Sequence, residues 1–154
     1  MEDYTKTILK NAVIKEQASQ KMYKDLAKKA KIKPLKDLFM KLYEEEKIHE
    51  NLFKKMDLSI LKKVNRTELN NLNILKDVTQ GKLMVSEEVI NDIIKALDFA
   101  IIQEQKAYND YMFFVKYMTL GEPRTALKEI AMQEARHKTM LQKVQLDFNE
   151  DDWV

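Results

Sequence analysis

Apolar side chains recur at alternating spacings of three and four along four long stretches of the chain, the pattern of helices that each turn one face to a core. The first stretch runs from about Asp3 to Ala30, with Leu9, Ala12, Val13, Tyr23, Leu26 and Ala27 on the stripe and Glu16 and Gln20 set inside it. Pro34 marks the first turn of a second helix, where its missing amide hydrogen costs nothing. That helix reaches about Met56 on the stripe Leu35, Leu38, Phe39, Leu42, Glu46, His49, Phe53 and Met56. A short connection makes these two helices antiparallel neighbours. From about 57 to 85 the periodicity is lost among Asn65, Asn70, Asn71, Asn73 and Gly81, with a short helical turn expected near Asn65-Arg66-Thr67-Glu68-Leu69. A segment of this length suits a crossover from one end of a bundle to the other, which sets the third helix parallel to the second.

Ser86 followed by Glu87 and Glu88 is a capping residue with acids in the first turn. The third helix is expected to run from there through Ile90, Ile93, Leu97, Ile101, Glu104, Tyr108, Tyr111, Val115 and Met118 to a stop at Gly121. Pro123 opens the fourth, on the stripe Leu127, Ile130, Glu134, His137, Leu141 and Val144. An acidic tail with two aromatics, about 146–154, follows. The prediction is one all-α domain over residues 1–154, a four-helix bundle with a long crossover between the second and third helices.

Composition narrows what such a bundle does. Only two glycines and two prolines occur in 154 residues, which favours long helices and argues against a sheet. Basic and acidic residues, 27 and 25, are interspersed, so no basic stripe for nucleic acid is evident. No signal peptide and no run of 18 apolar residues is found, which points to a cytoplasmic protein without a membrane partner. The absence of cysteine excludes disulfides, thiolate metal sites and four-cysteine iron sites within the sequence.

The ionisable residues inside the stripes form a repeat. Glu46 and His49 stand three apart on one helix face, and the same pair recurs 88 residues later as Glu134 and His137. These are the only two histidines, and the same offset carries Glu16 onto Glu104, Tyr23 onto Tyr111, and Val13-Ile14 onto Ile101-Ile102. With glutamate at 14 of 154 positions, two such Glu-x-x-His pairs arise by chance roughly once in a hundred sequences, and the further matches make coincidence much rarer.

Four helices therefore place four glutamates and two histidines in mid-stripe. Buried unpaired carboxylates are costly, so a source of positive charge is required. Lys15, Lys47, Lys106 and Arg136 are expected to lie beside the ligand positions on other faces, and Glu44, Glu45 and Glu50 to be solvated. Two imidazolium groups cannot balance four carboxylates, whereas two divalent cations can. One glutamate from each of two helices and a Glu-x-x-His pair from each of the other two is the arrangement of dinuclear carboxylate bundles. In it Glu46 and Glu134 could bridge, with Glu16 and Glu104 terminal. Oxygen donors with one imidazole per ion suit iron or manganese, with zinc possible. Tyr23, Tyr108 and Tyr111 follow on the same faces and are expected to hydrogen-bond a carboxylate rather than act in redox chemistry.

On these residues the chain resembles the ferritin-like di-iron proteins, closest to the rubrerythrin di-iron domain, over nearly everything from residue 3 to 145. The resemblance implies a ferritin-like fold and iron ligation at Glu16, Glu46, His49, Glu104, Glu134 and His137. It also implies a cytoplasmic homodimer that reacts with hydrogen peroxide or oxygen. Rubrerythrins carry a further glutamate one turn after the third-helix ligand, where this chain has Ala107, and a four-cysteine rubredoxin domain that has no counterpart here. Electrons must then come from outside, from a separate rubredoxin-type protein or a small molecule. Two alternatives remain beside an oxidoreductase: a ferritin-like protein that binds or oxidises iron without peroxidase turnover, and a bundle that holds metal for stability alone.

Overall fold

A computed structural model describes residues 5–57, 67 and 70–148. The first helix, α1 (Thr5–Lys29), ends in Lys28 and Lys29, cations that suit the negative end of the helix dipole. After an extended Ile32, Pro34 lies in the first turn of α2 (Lys33–Lys55). Within the crossover a short helix, α3 (Asn73–Thr79), was not legible from periodicity. It is pinned to the bundle by Asp110, whose Oδ1 accepts from both the backbone N–H and the Nδ2 of Asn73 at 3.1 Å. Gly81 then takes a left-handed backbone at φ 67°, a conformation that costs glycine little.

The expected third helix is divided. The Ser86 hydroxyl accepts from Val89 N–H and caps only a single turn, α4 (Glu87–Ile90). The chain breaks at Asn91-Asp92, where Asp92 Oδ1 accepts from Lys95 N–H and starts α5 (Ile93–Tyr117) afresh. Asn and Asp side chains compete for backbone N–H groups and favour such a restart over an uninterrupted helix. The last helix is α6 (Glu122–Asp147), with Pro123 in its first turn. The expected starts at Asp3, most of the turn at Asn65–Leu69, and the tail from 149 onward lie outside the described residues. Phe148 packs against the end of the core.

The described residues form six helices and no strand, and the four long ones make a ferritin-like bundle of two hairpins, α1–α2 and α5–α6. Backbone packing is closest within α1–α2 and within α5–α6. Between the hairpins the contact is carried mainly by long side chains. Their bonds fix the directions: Tyr23 of α1 reaches Glu104 of α5 while Tyr111 of α5 reaches Glu16 of α1, so these helices run oppositely and α5 is parallel to α2.

The core consists of two apolar clusters with a polar layer between them. One cluster gathers Ile8, Ala12, Phe53, Phe114, Leu127 and Ile130; the other gathers Leu26, Leu35, Phe39, Leu42, Leu97 and Leu141. Residues 15–16, 46–49, 103–104 and 134–137 fall between the two in every long helix.

Candidate metal centre

The structure brings all six mid-stripe residues into this layer. Glu16, Glu46, Glu104 and Glu134 are fully buried, and His49 and His137 are 1% exposed. They form two groups of four, Glu16–Glu46–His49–Glu134 and Glu46–Glu104–Glu134–His137, and within each group one potential ligand atom per residue lies within 4.8 Å of the others. Glu46 and Glu134 belong to both groups. The imidazoles lie nearly parallel, 6.0 Å between centroids and 16° between planes.

Each imidazole turns Nδ1 inward and Nε2 outward. His49 Nδ1 is 2.9 Å from Glu134 Oε1, and His137 Nδ1 is 2.7 Å from Glu46 Oε1. Despite these short distances neither nitrogen makes a properly directed hydrogen bond. Outside, His49 Nε2 meets Gln133 Oε1 and His137 Nε2 meets Glu45 Oε2, both at 2.6 Å. An acceptor at Nε2 holds the ring with its proton outward and leaves Nδ1 to face a ligand.

The carboxylates of Glu104 and Glu16 are held in the same crossed fashion. Tyr23 donates to Glu104 Oε1 at 2.6 Å, and Tyr111 donates to Glu16 Oε1 at 2.5 Å. Burial, reinforced by the nearby carboxylates, keeps both phenols well above their ordinary pKa, so they remain donors. Tyr108 is placed differently: it is half-buried and packs against an apolar cluster.

The expectation that no cation enters the stripe is corrected by Lys15. This side chain is only 2% exposed, with Nζ 2.5 Å from Glu134 Oε2, 3.5 Å from Glu46 Oε2 and 3.6 Å from Glu16 Oε1. Burial disfavours its charge, but the surrounding carboxylates outweigh burial and hold its pKa well above the usual lysine value. Lys15 also lines a narrow pocket with Ser19, Leu83, Phe99 and Gln103. The α1 surface is covered on two sides, by α2 and by the crossover, so positions beside the predicted stripe are buried too. Glu45 and Glu50 also depart from the solvated reading. Glu45 bonds His137, and Glu50 is buried and accepts from Gln17 at 3.0 Å and Gln20 at 2.8 Å. Glu44 is exposed, as expected.

With Lys15 present, charge balance alone no longer demands metal. Burial pushes Glu46 and Glu104 above the ordinary carboxylate range, and Glu134 adds to that push. For Glu134 and Glu16, burial, reinforced at Glu16 by Glu134, is outweighed by Lys15 and by the neighbouring His49, and both fall below it. Against burial, the carboxylates of Glu134 and Glu16 raise His49 to about 12, and those of Glu104, Glu45 and Glu46 hold His137 well above its ordinary value. What pairing does not provide is directed bonding. Among the described residues seven buried side-chain atoms have no hydrogen-bond partner: Glu16 Oε2, both oxygens of Glu46, His49 Nδ1, Glu104 Oε2, Glu134 Oε1 and His137 Nδ1. Buried polar atoms are almost always satisfied, so a set of orphans confined to one layer calls for a ligand. They are oxygen and imidazole donors, and they fit hard or intermediate divalent ions.

Fold and donor set together define a helical bundle with two adjoining carboxylate and histidine clusters that could hold metal ions. A family model described as Rubrerythrin matches residues 7–89, more than half of the chain, and the protein belongs to the rubrerythrin family, a family of di-iron carboxylate proteins. That match contains Glu16, Glu46 and His49; Glu104, Glu134 and His137 lie beyond it and are joined to them by the fold. Comparison with curated proteins and with solved structures gave no match. No helix among the described residues is long and apolar enough to cross a membrane.

Proposed function

We propose that the protein is a non-haem di-iron oxidoreductase that reduces hydrogen peroxide or oxygen with electrons from an external donor. The observation that carries this reading is the set of seven orphaned buried donor atoms, divided between two groups that share Glu46 and Glu134. One ion would be held by Glu16, Glu46, His49 and Glu134, the other by Glu46, Glu104, Glu134 and His137. Two iron ions so placed would supply two electrons to one small oxidant, which separate ions could not do in concert.

The chain's own part is to orient and to exclude. Tyr23 and Tyr111 each fix one terminal carboxylate by a single bond, leaving its second oxygen free to ligate. Gln133 and Glu45 hold the imidazoles in the tautomer that ligates through Nδ1. The apolar clusters on either side keep bulk water from the layer. The chain contains no cysteine, so a rubredoxin-type partner or a small reductant outside these residues would deliver the electrons.

The test is peroxide consumption by the iron-loaded protein with a supplied reductant. Multiple turnovers that disappear in Glu46→Ala support the reading; binding of two ions without turnover overturns the oxidoreductase and leaves a metal-holding bundle. A second reading is favoured by one observation: one turn beyond Glu104 the buried residue is Ala107, so α5 brings no further carboxylate there. Under that reading the protein binds and oxidises ferrous iron, and oxidation beyond two equivalents per chain without peroxide turnover would identify it.

A further inference from the structure

The two hairpins match at every candidate ligand and at the two tyrosines, yet the 88-residue correspondence is broken at two positions that touch the centre. Lys15 corresponds to Gln103, and Glu45 corresponds to Gln133. In each pair one member is charged and the other is a neutral amide. Both differences act in the same electrostatic direction.

Lys15 makes ion pairs with Glu16, Glu46 and Glu134, of which Glu46 and Glu134 are shared by both groups and Glu16 is peculiar to the His49 group. Among the described residues it makes none with Glu104, the carboxylate peculiar to the His137 group. An ammonium here repels a second cation and occupies carboxylate oxygens that an ion needs. Its counterpart Gln103, also buried, carries no charge into the other group. On the outer side, His137 is backed by a carboxylate and His49 by an amide, both at 2.6 Å. A carboxylate at Nε2 makes the imidazole a stronger donor to a cation at Nδ1 than an amide does, and changes at such outer partners commonly shift affinity about 10- to 100-fold.

We infer that the two ion positions are unequal: the one formed by Glu46, Glu104, Glu134 and His137 fills first and tightly, and the one formed by Glu16, Glu46, His49 and Glu134 fills second and exchanges readily. This rests on the reading of the cluster as a metal centre. Through Glu16, Lys15 lies on the side of the weaker position, and an ion entering there must displace its ammonium from that carboxylate.

Anaerobic titration of the metal-free protein with ferrous or cobaltous ion, followed by calorimetry and by the cobalt absorption spectrum, tests the inference without recourse to activity. The wild type should bind in two steps, with constants separated by about tenfold or more. His137→Ala should remove the tighter step and His49→Ala the weaker one. Gln133→Glu, a half-buried change that restores the repeat, should tighten the weaker step by about 10- to 100-fold. Lys15→Gln should do the same, and Glu45→Gln should loosen the tighter step. If the wild type holds one ion, Gln133→Glu should raise the count to two, and a count that stays at one overturns the inference. Two equal steps that Gln133→Glu leaves equal would overturn the inequality while leaving a dinuclear site standing. No binding at all would overturn the metal centre itself, and the inference with it. If Lys15→Gln fails to fold, the Gln133→Glu titration still decides.

Discussion

The α1–α2 hairpin and the α5–α6 hairpin present the same chemistry to the space between them, and they differ immediately outside it. Glu16, Glu46, His49 and Tyr23 have their equals in Glu104, Glu134, His137 and Tyr111, and the tyrosine bonds cross from each hairpin to the other. One residue away, Lys15 and Glu45 correspond to Gln103 and Gln133. Positions that must present a lone pair to the centre admit few residue types. Their neighbours need not ligate, so a charged and a neutral side chain can occupy corresponding places. Two superficially equal half-sites thereby acquire unequal electrostatic surroundings.

The sharpest way to break this picture is at the shared residues. Glu46→Ala should reduce the ions bound per chain from two toward none, because both groups contain it, whereas Glu16→Ala should cost only one. Metal analysis after loading checks this, and equal losses in the two variants would mean that Glu46 does not serve both positions.

Next in size is the loss of the resident cation. Lys15→Met should destabilise the metal-free protein by about 3–5 kcal/mol, the usual cost of removing one partner from a buried ion pair. Gln103→Met at the corresponding position should cost much less. Urea unfolding of both metal-free variants measures the contrast, and similar losses would remove the asymmetry assigned to the lysine.

The metal-free protein should also lose stability as pH rises from about 7 to 9. His49 is raised to about 12 in the fold from an ordinary 6.5, so above that ordinary value the folded chain keeps a proton that the unfolded chain releases. The raised Glu46 acts in the same direction from lower pH, while the lowered Glu134 contributes its opposite slope only below its ordinary 4.5. Loading metal replaces these protons, so binding should release protons and flatten the profile. A metal-free unfolding midpoint that is level from pH 7 to 9 would show that His49 is not held protonated by the cluster.

The smallest expected effects compare the tyrosines. Tyr23→Phe and Tyr111→Phe each remove one hydrogen bond to a carboxylate, a loss of about 1–3 kcal/mol with the ring packing retained. Thermal unfolding of the loaded protein should give near-equal losses, since the two bonds are alike; a large difference would extend the asymmetry to the terminal carboxylates.

Much of this molecule was determined by local pattern. Three-and-four spacing marks the long helices because a helix buries a stripe, and Pro34 and Pro123 mark starts because their missing N–H costs nothing in a first turn. The 88-residue offset singled out six residues that the fold then gathered in one layer, since equivalent positions on two hairpins meet at equal heights. Local pattern could not reveal how many sides of each helix are covered. Lys15 lies beside the predicted stripe of α1, and it is buried because the crossover, including Leu83, closes over that side. Nor could spacing show that the long side chain of Glu45 reaches past its own helix to His137, 92 residues away. Periodicity specifies which side of a helix is apolar; the partner of a polar side chain depends on which other helix stands within its reach. That is set only when the hairpins dock.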